Sequence, residues 1–299
     1  GLQRNELVKL SMNTLPPVIR VALWMCLTAV GFAVMIGSVR ELSAHLDVFV
    51  ISFWRNLAAV LLFLPWIARM GLGGLKTERW GLFWLRAIIM MASSVAMFLG
   101  AILLPLSEAT ALSFTTPLFV TVLAWVVLGE RFGWRRGAAV ALGFVGIMIM
   151  TRPDAGALNL GALVVLLAAI TCAGVVITGK KLSATEKPAL ITLYLSLLPL
   201  PLSLLPALYF WEWPTGTDWL WIVTLGVGAV INIYGISRAL AVGDASLLQP
   251  FDFLRLPTVA LVGWFVFRES TDMWTWVGAA LIAAAAIYTA NREARLRHT

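Results

Sequence analysis

The chain has 299 residues, of which 61% are hydrophobic and only 12% charged, with a formal net charge of +7. A soluble domain with so few charges could not cover its own surface, and the mean hydropathy of +0.91 points the same way. The basic residues fall between apolar runs, so membrane topology accounts for the charge and nucleic-acid binding is not expected.

A helix crossing the hydrocarbon core needs roughly 20 apolar residues. Ten stretches of that order run in sequence: 17–38, 47–69, 80–103, 107–128, 134–151, 158–179, 188–211, 218–241, 245–267 and 273–290. The breaks at 70–79, 180–187 and 212–217 leave no room for a soluble catalytic domain. The expectation is an all-α membrane protein with ten transmembrane helices.

The first stretch holds Trp24 and Cys26 but no acidic residue, and the second carries Arg55 about two turns from its end. The third has Arg86 near its start, then Ser93, Ser94 and Met97. Ser113, Thr115, Thr116 and Pro117 lie in the fourth, and the fifth is a Gly/Ala-rich run from Gly137. Thr171 and Cys172 are in the sixth, Tyr194 in the seventh, Asn232 and Tyr234 in the eighth. The ninth concentrates unusual residues: Gln249, Pro250, Asp252, Phe253, Arg255 and Pro257. Both cysteines sit far from any CxxC spacing and read as small packing residues.

Lys and Arg in alternate loops set the orientation. One side carries Arg4, Lys9, Arg20, Arg69, Lys76, Arg79, Arg131, Arg135, Arg136, Lys180, Lys181, Lys187, Arg238, Arg292, Arg295 and Arg297. The other has Arg40, Arg152 and Arg268. This split of 16 to 3 predicts both termini in the cytoplasm, and a cell inner (plasma) membrane is the expected location. Trp66, Trp80, Trp134, Trp211, Trp213, Trp219, Trp221, Trp274 and Trp276 fall at span ends, as an interfacial belt should. Trp24, Trp54, Trp84, Trp125 and Trp264 lie deeper and are expected to pack between helices.

The chain also repeats itself. Residues 107–130 read SEATALSFTTPLFVTVLAWVVLGE, and 246–269 read SLLQPFDFLRLPTVALVGWFVFRE. At a constant offset of 139, Ser107, Phe114, Trp125, Val127 and Glu130 match Ser246, Phe253, Trp264, Val266 and Glu269. A polar turn and a Gly-Ala-Ala start follow each glutamate, at Gly137 and Gly278. Five spans per repeat is odd, so the half 158–290 enters the membrane inverted relative to the half 17–151. Inverted repeats are frequent in secondary transporters, where exchange of the halves gives alternating access.

The Pro-containing helix ending in Trp-x-x-x-x-Glu, the turn and the Gly-rich helix, present twice in ten spans, resemble the drug/metabolite transporter superfamily and its two-EamA-domain members. Arg55 fits the same pattern. More narrowly, the chain resembles YddG-type exporters of aromatic and other amino acids. The resemblance implies export of small metabolites, amino acids first, with drugs or nucleotide sugars as the alternative cargo.

Charges within spans are costly and face a cavity or a partner. Arg55, Arg86, Asp252 and Arg255 are therefore expected as gate or buried-charge residues. Asp252 and Arg255, three apart on one helix face, can pair. Their counterparts in the first half are Ser113 and Thr116. Pro117, Pro250 and Pro257 mark hinges. A cavity is expected from the first, third and fourth helices of each half, with Trp24, Ser93, Ser94, Met97, Ser113, Thr116, Thr171, Asn232, Tyr234, Gln249 and Phe253 among its lining. The fifth helix of each half should be peripheral.

No GxxxxGK[ST] loop is present, so no ATP-driven step is expected. His45 and His298 lie near membrane surfaces, so neither a metal nor another cofactor is expected. Paired aspartates, a Ser/His pair and HExxH are lacking, which argues against an intramembrane enzyme. A channel or scaffold is the distant alternative. The expected partners are a small solute and the bilayer, with a monomer as the simplest assembly. Cysteines substituted at positions 131–136 should react with impermeant thiol reagents only from the cytoplasmic side; labelling from outside would overturn this topology.

Overall fold

The computed structural model describes residues 16–70, 77–129, 134–151, 159–186, 188–242 and 251–297. All regular structure among these residues is helical. The first half comprises α1 (Pro17–Leu42), α2 (Val48–Met70), α3 (Trp80–Leu103), α4 (Leu106–Ser113), α5 (Thr116–Leu128) and α6 (Trp134–Thr151). The second comprises α7 (Leu160–Ser183), α8 (Pro188–Leu197), α9 (Pro199–Tyr209), α10 (Asp218–Leu240), α11 (Arg255–Phe267) and α12 (Met273–Arg297). Among the described residues, five segments are long and apolar enough to cross a membrane: Val18–Leu42, Trp80–Leu103, Leu106–Leu128, Leu160–Ser183 and Asp218–Ala239. Five more are apolar but shorter: Val48–Leu61, Val140–Met150, Pro199–Tyr209, Arg255–Phe267 and Met273–Ala285.

Three stretches expected as single helices are interrupted, and proline chemistry accounts for each. The stretch 107–128 breaks at 114–115, 188–211 at Leu198, and 245–267 at 253–254. Pro117, Pro199 and Pro257 each fall in the first turn of the following helix. There the missing N–H removes no intrahelical bond and the fixed φ is already helical. Pro117 and Pro257 thus start the second segment, where a kink within a continuous helix was expected. Pro250 lies outside the described residues. The breaks at 114–115 and 253–254 are also separated by the 139-residue repeat offset. The same offset relates the ends of α5 and α11, which close on left-handed caps at Gly129 (φ 67°) and Arg268 (φ 58°).

Helix pairing follows a pattern that exchange of the halves leaves unchanged. The most extensive packing is of α1 on α10, with α3 on α7 as its counterpart, and α6 on α12, which maps onto itself. Likewise α5 lies on α7 as α11 lies on α1. Small residues set these distances. A Cβ built at Gly228 would fall 2.7 Å from the Met35 nitrogen and 2.8 Å from the Gly31 oxygen. One at Gly278 would fall 2.7 Å from the Gly146 oxygen. Lipid offers no hydrophobic drive between helices, so such close approach supplies the dispersion contact that holds them.

Three of the deeper tryptophans depart from expectation. Trp84, Trp125 and Trp264 are 39%, 51% and 56% exposed and stand on the outer surface. In hydrocarbon the apolar ring of an outward-facing indole has no water to avoid, so burial of the ring was a rule borrowed from soluble proteins. Trp54 does pack inward, edge-on to Phe53 and Trp219. Replacing Gly228 with Val should destabilise the fold by about 1–3 kcal/mol through overpacking. Gly81→Val, where a Cβ would meet nothing within 4 Å, should be silent; thermal unfolding in detergent reads both.

Candidate functional site: a cavity at the paired helix breaks

The hydroxyls around the first break bond carbonyls of the preceding turn. Pro117 cannot donate to the Ser113 carbonyl, and Thr116 Oγ1 does so at 2.8 Å. Ser113 Oγ donates to Thr110 O at 2.6 Å, and Thr115 Oγ1 to Leu112 O at 2.7 Å. In the second half Thr258 Oγ1 donates to Leu254 O at 2.7 Å. Irregular backbone is tolerable at this depth only where it is satisfied internally or lines a cavity.

Here it does both. A cavity of about 480 Å³ lies against the two breaks, lined by α1, α3, α4, α5 and α7, the residues preceding α11, and Arg255 at its start. Phe114 and Phe253, which match in the sequence repeat, meet edge-to-face with ring centroids 4.6 Å apart. The walls are mainly apolar: Phe32, Met97, Val120, Ala168, Ala169 and Val176. Against them stands one ion pair, Arg255 Nη2 to Asp252 Oδ1 at 2.8 Å. The Arg255 guanidinium also lies 5.0 Å from the centre of the Phe32 ring, within cation–π range. The side chains of Arg255 and Asp252 keep 21% and 32% exposure, so both ends of the pair present charge to the cavity.

The cavity gathers Ser93, Met97, Ser113, Thr116, Pro117, Asp252, Phe253 and Arg255 from the residues singled out by sequence. Other candidates lie elsewhere. Ser94 and Thr171 are half-buried outside the lining, Thr171 Oγ1 bonding its own helix at Leu167 O, 2.7 Å away. Pro257, two residues beyond Arg255, is outside the lining too. Gln249 falls outside the described residues.

Trp24, Asn232 and Tyr234 belong to the contact of α1 with α10. Asn232 Nδ2 donates to Thr28 O at 3.2 Å, and the Trp24 and Tyr234 rings stack edge-on at 5.7 Å. Arg238 sits 5.3 Å from the Trp24 ring centre. Among the described residues, α10 therefore contributes nothing to the lining, contrary to expectation. Gly31, Gly228 and Gly235 bring the two backbones too close to leave space between them. Neither α6 nor α12 lines the cavity.

Arg55 is held beside Phe98, 5.7 Å from its ring centre, with Nη2 donating to Asn56 Oδ1 at 2.6 Å. Asn56 in turn donates to Ser203 Oγ at 3.0 Å, tying α2 to α9. Arg86 packs over Gly179, where a Cβ would fall 2.9 Å from its Nη2. Both arginines serve helix contacts outside the cavity. Among the described residues no cluster of three or more His, Cys, Asp or Glu side chains could hold a metal.

Sequence reasoning missed Phe32, Val120, Cys172 and Val176, because an apolar residue facing a cavity looks like one facing lipid. It also passed over Arg40 and Glu269 as loop charges. Arg40 Nη2 meets Glu269 Oε1 at 2.8 Å. The repeat had marked Glu269 by its match to Glu130.

A helical membrane bundle with a cavity at paired helix breaks has the architecture of a small-solute transporter. The sequence model of the EamA-like transporter family matches residues 19–152 and again 159–290. The chain belongs to that family, and so to the drug/metabolite transporters; it is not an enzyme. A riboflavin transporter of Vibrio cholerae is 32% identical over 92% of this chain and 94% of its own length. An S-adenosylmethionine uptake transporter of Rickettsia prowazekii is 27% identical over 90% and 92%. A crystal structure of a protein 18% identical superposes with a TM-score of 0.59 across 89% of this chain and 94% of that one, so the fold is shared.

Removing one member of the pair leaves the other charge facing an apolar wall, a loss of about 1–3 kcal/mol. Asp252→Asn and Arg255→Ala should therefore slow transport well beyond Ser113→Ala, which removes only a local backbone bond. Initial rates in proteoliposomes, with each variant's fold checked by gel filtration, decide it.

Proposed function

We propose that this protein is a secondary transporter moving a small, flat, partly polar solute of the riboflavin kind by alternating access. It crosses an inner membrane ten times as two inverted five-helix halves, 17–151 and 158–290, with both termini cytoplasmic. The observation that carries the reading is the cavity itself: it lies between elements of both halves, at the breaks 139 residues apart. Its volume of about 480 Å³ is within the roughly 300–1,000 Å³ range of small-molecule sites. A mainly apolar wall with aromatic edges suits a planar ring system. Ser93 and the Asp252–Arg255 pair supply the few polar contacts that fix orientation. The riboflavin transporter of Vibrio cholerae, similar over nearly its whole length, supports the same cargo class.

A second reading, export of aromatic and other amino acids, rests on that ion pair. Adjacent opposite charges complement the ammonium and carboxylate of a zwitterion, and Phe32, Phe114 and Phe253 would flank an aromatic side chain. Counterflow in proteoliposomes separates the readings. Labelled riboflavin should exchange saturably, with S-adenosylmethionine and phenylalanine exchanging weakly or not at all. Exchange of phenylalanine alone would replace the flavin reading with the amino-acid one. Flux that fails to saturate would point to a channel.

A further inference from the structure

We propose that Arg40 and Glu269 form the lock that seals the cavity from one face of the membrane, the face opposite the basic loops. The inference rests on the alternating-access reading above. It concerns residues that lie outside the cavity and make no contact with its contents.

One network joins four elements at this face. Glu269 Oε1 takes the Arg40 guanidinium at 2.8 Å, while its Oε2 accepts from the Leu106 N–H at 2.9 Å, at the start of α4. A carboxylate there satisfies a helix N-terminal donor and meets the positive end of the helix dipole. Arg40 Nη1 donates to Ala101 O at 2.9 Å and Leu104 O at 2.7 Å, the carbonyls at the end of α3. Beside them Thr271 Oγ1 and Ser107 Oγ are 3.0 Å apart. The end of α11 is thereby fastened to α1, α3 and α4.

Between this network and the cavity lies a closed layer: Ala101, Leu104, Leu106, Ala109 and Leu112 are each at most 3% exposed. The cavity lining begins beyond that layer, at Ser113 on the α4 side and at Met97 on α3. The chain is thus shut at the Arg40 face.

Two features make the network releasable. The Arg40 and Glu269 side chains retain 26% and 16% exposure, so water can take over their charges when they part. The connection also ends in strain. Arg268 has φ 58°, the only left-handed non-glycine residue among those described, and it turns Glu269 back toward Leu106. Such a conformation persists only while its surroundings enforce it. Opening this face would break the charged contacts and let the cap relax, with the break at 253–254 as the bending point.

Cys172 lines the cavity and reports which face is open. In a Cys26→Ser background, an impermeant methanethiosulfonate should modify Cys172 in oriented vesicles far faster from the basic face than from the Arg40 face. Glu269→Gln and Arg40→Ala should raise its modification from the Arg40 face by about tenfold. In a separate Cys26→Ser/Cys172→Ser background, Ser107→Cys with Thr271→Cys should cross-link that face and arrest transport, with reductant restoring it. Equal labelling from both faces in the parent, unchanged labelling in folded variants, or undiminished transport in the cross-linked protein would each overturn the lock. Neither labelling nor reductant rescue depends on which solute is carried, so the flavin assignment can fail while the lock stands.

Discussion

Hydrocarbon offers backbone groups no water, and this single constraint organises the molecule. Every carbonyl and N–H within the membrane must find a partner in the protein. Continuous helices meet the requirement alone; an interrupted one must be rescued. The rescue is visible at 113–117, where three hydroxyls bond carbonyls of the preceding turn. The interruption then becomes affordable only beside other protein or a cavity, and the cavity is where the two breaks lie.

The second determinant is how closely helices approach. Gly31 and Gly228 bring α1 against α10, and Gly146 and Gly278 bring α6 against α12, with backbone near backbone. Those pairs leave no interior space. Around the breaks, by contrast, larger side chains such as Met97, Phe114 and Phe253 hold helices apart. The position of the cavity is thus a consequence of where small and large residues fall, as much as of where polar ones do.

Charges within the bundle divide by the same logic. Arg55 and Arg86 brace helix contacts, Asp252 and Arg255 neutralise one another on the cavity wall, and Arg40 and Glu269 cap helix ends at one face. Arg55, Arg255 and Arg40 meet a side-chain amide oxygen, a carboxylate or backbone carbonyls, the alternative being an ion in a medium that cannot solvate it, whereas Arg86 packs over Gly179 with its Nε and Nη1 buried and unpartnered. A wall with few fixed polar groups discriminates by shape, and shape changes with single side chains.

Much of this was legible in the chain itself. Apolar length and composition determine a helical membrane protein, because the bilayer sets a length that soluble helices need not meet. The 139-residue offset located two matching segments, and the i,i+3 spacing placed Asp252 beside Arg255, because helical geometry is local. Tertiary structure alone decided the rest. Trp24, Asn232 and Tyr234 read as cavity residues, yet glycines on the facing helix close that space. Phe32, Val120 and Val176 carry no mark of a site in the sequence, yet they line the cavity. Glu269 reads as a loop charge until the fold brings it to Arg40 and Leu106, 163 positions away in the case of Leu106. In a membrane both lipid and cavity wall accept apolar side chains, so hydropathy cannot tell them apart; only the distances between helices can.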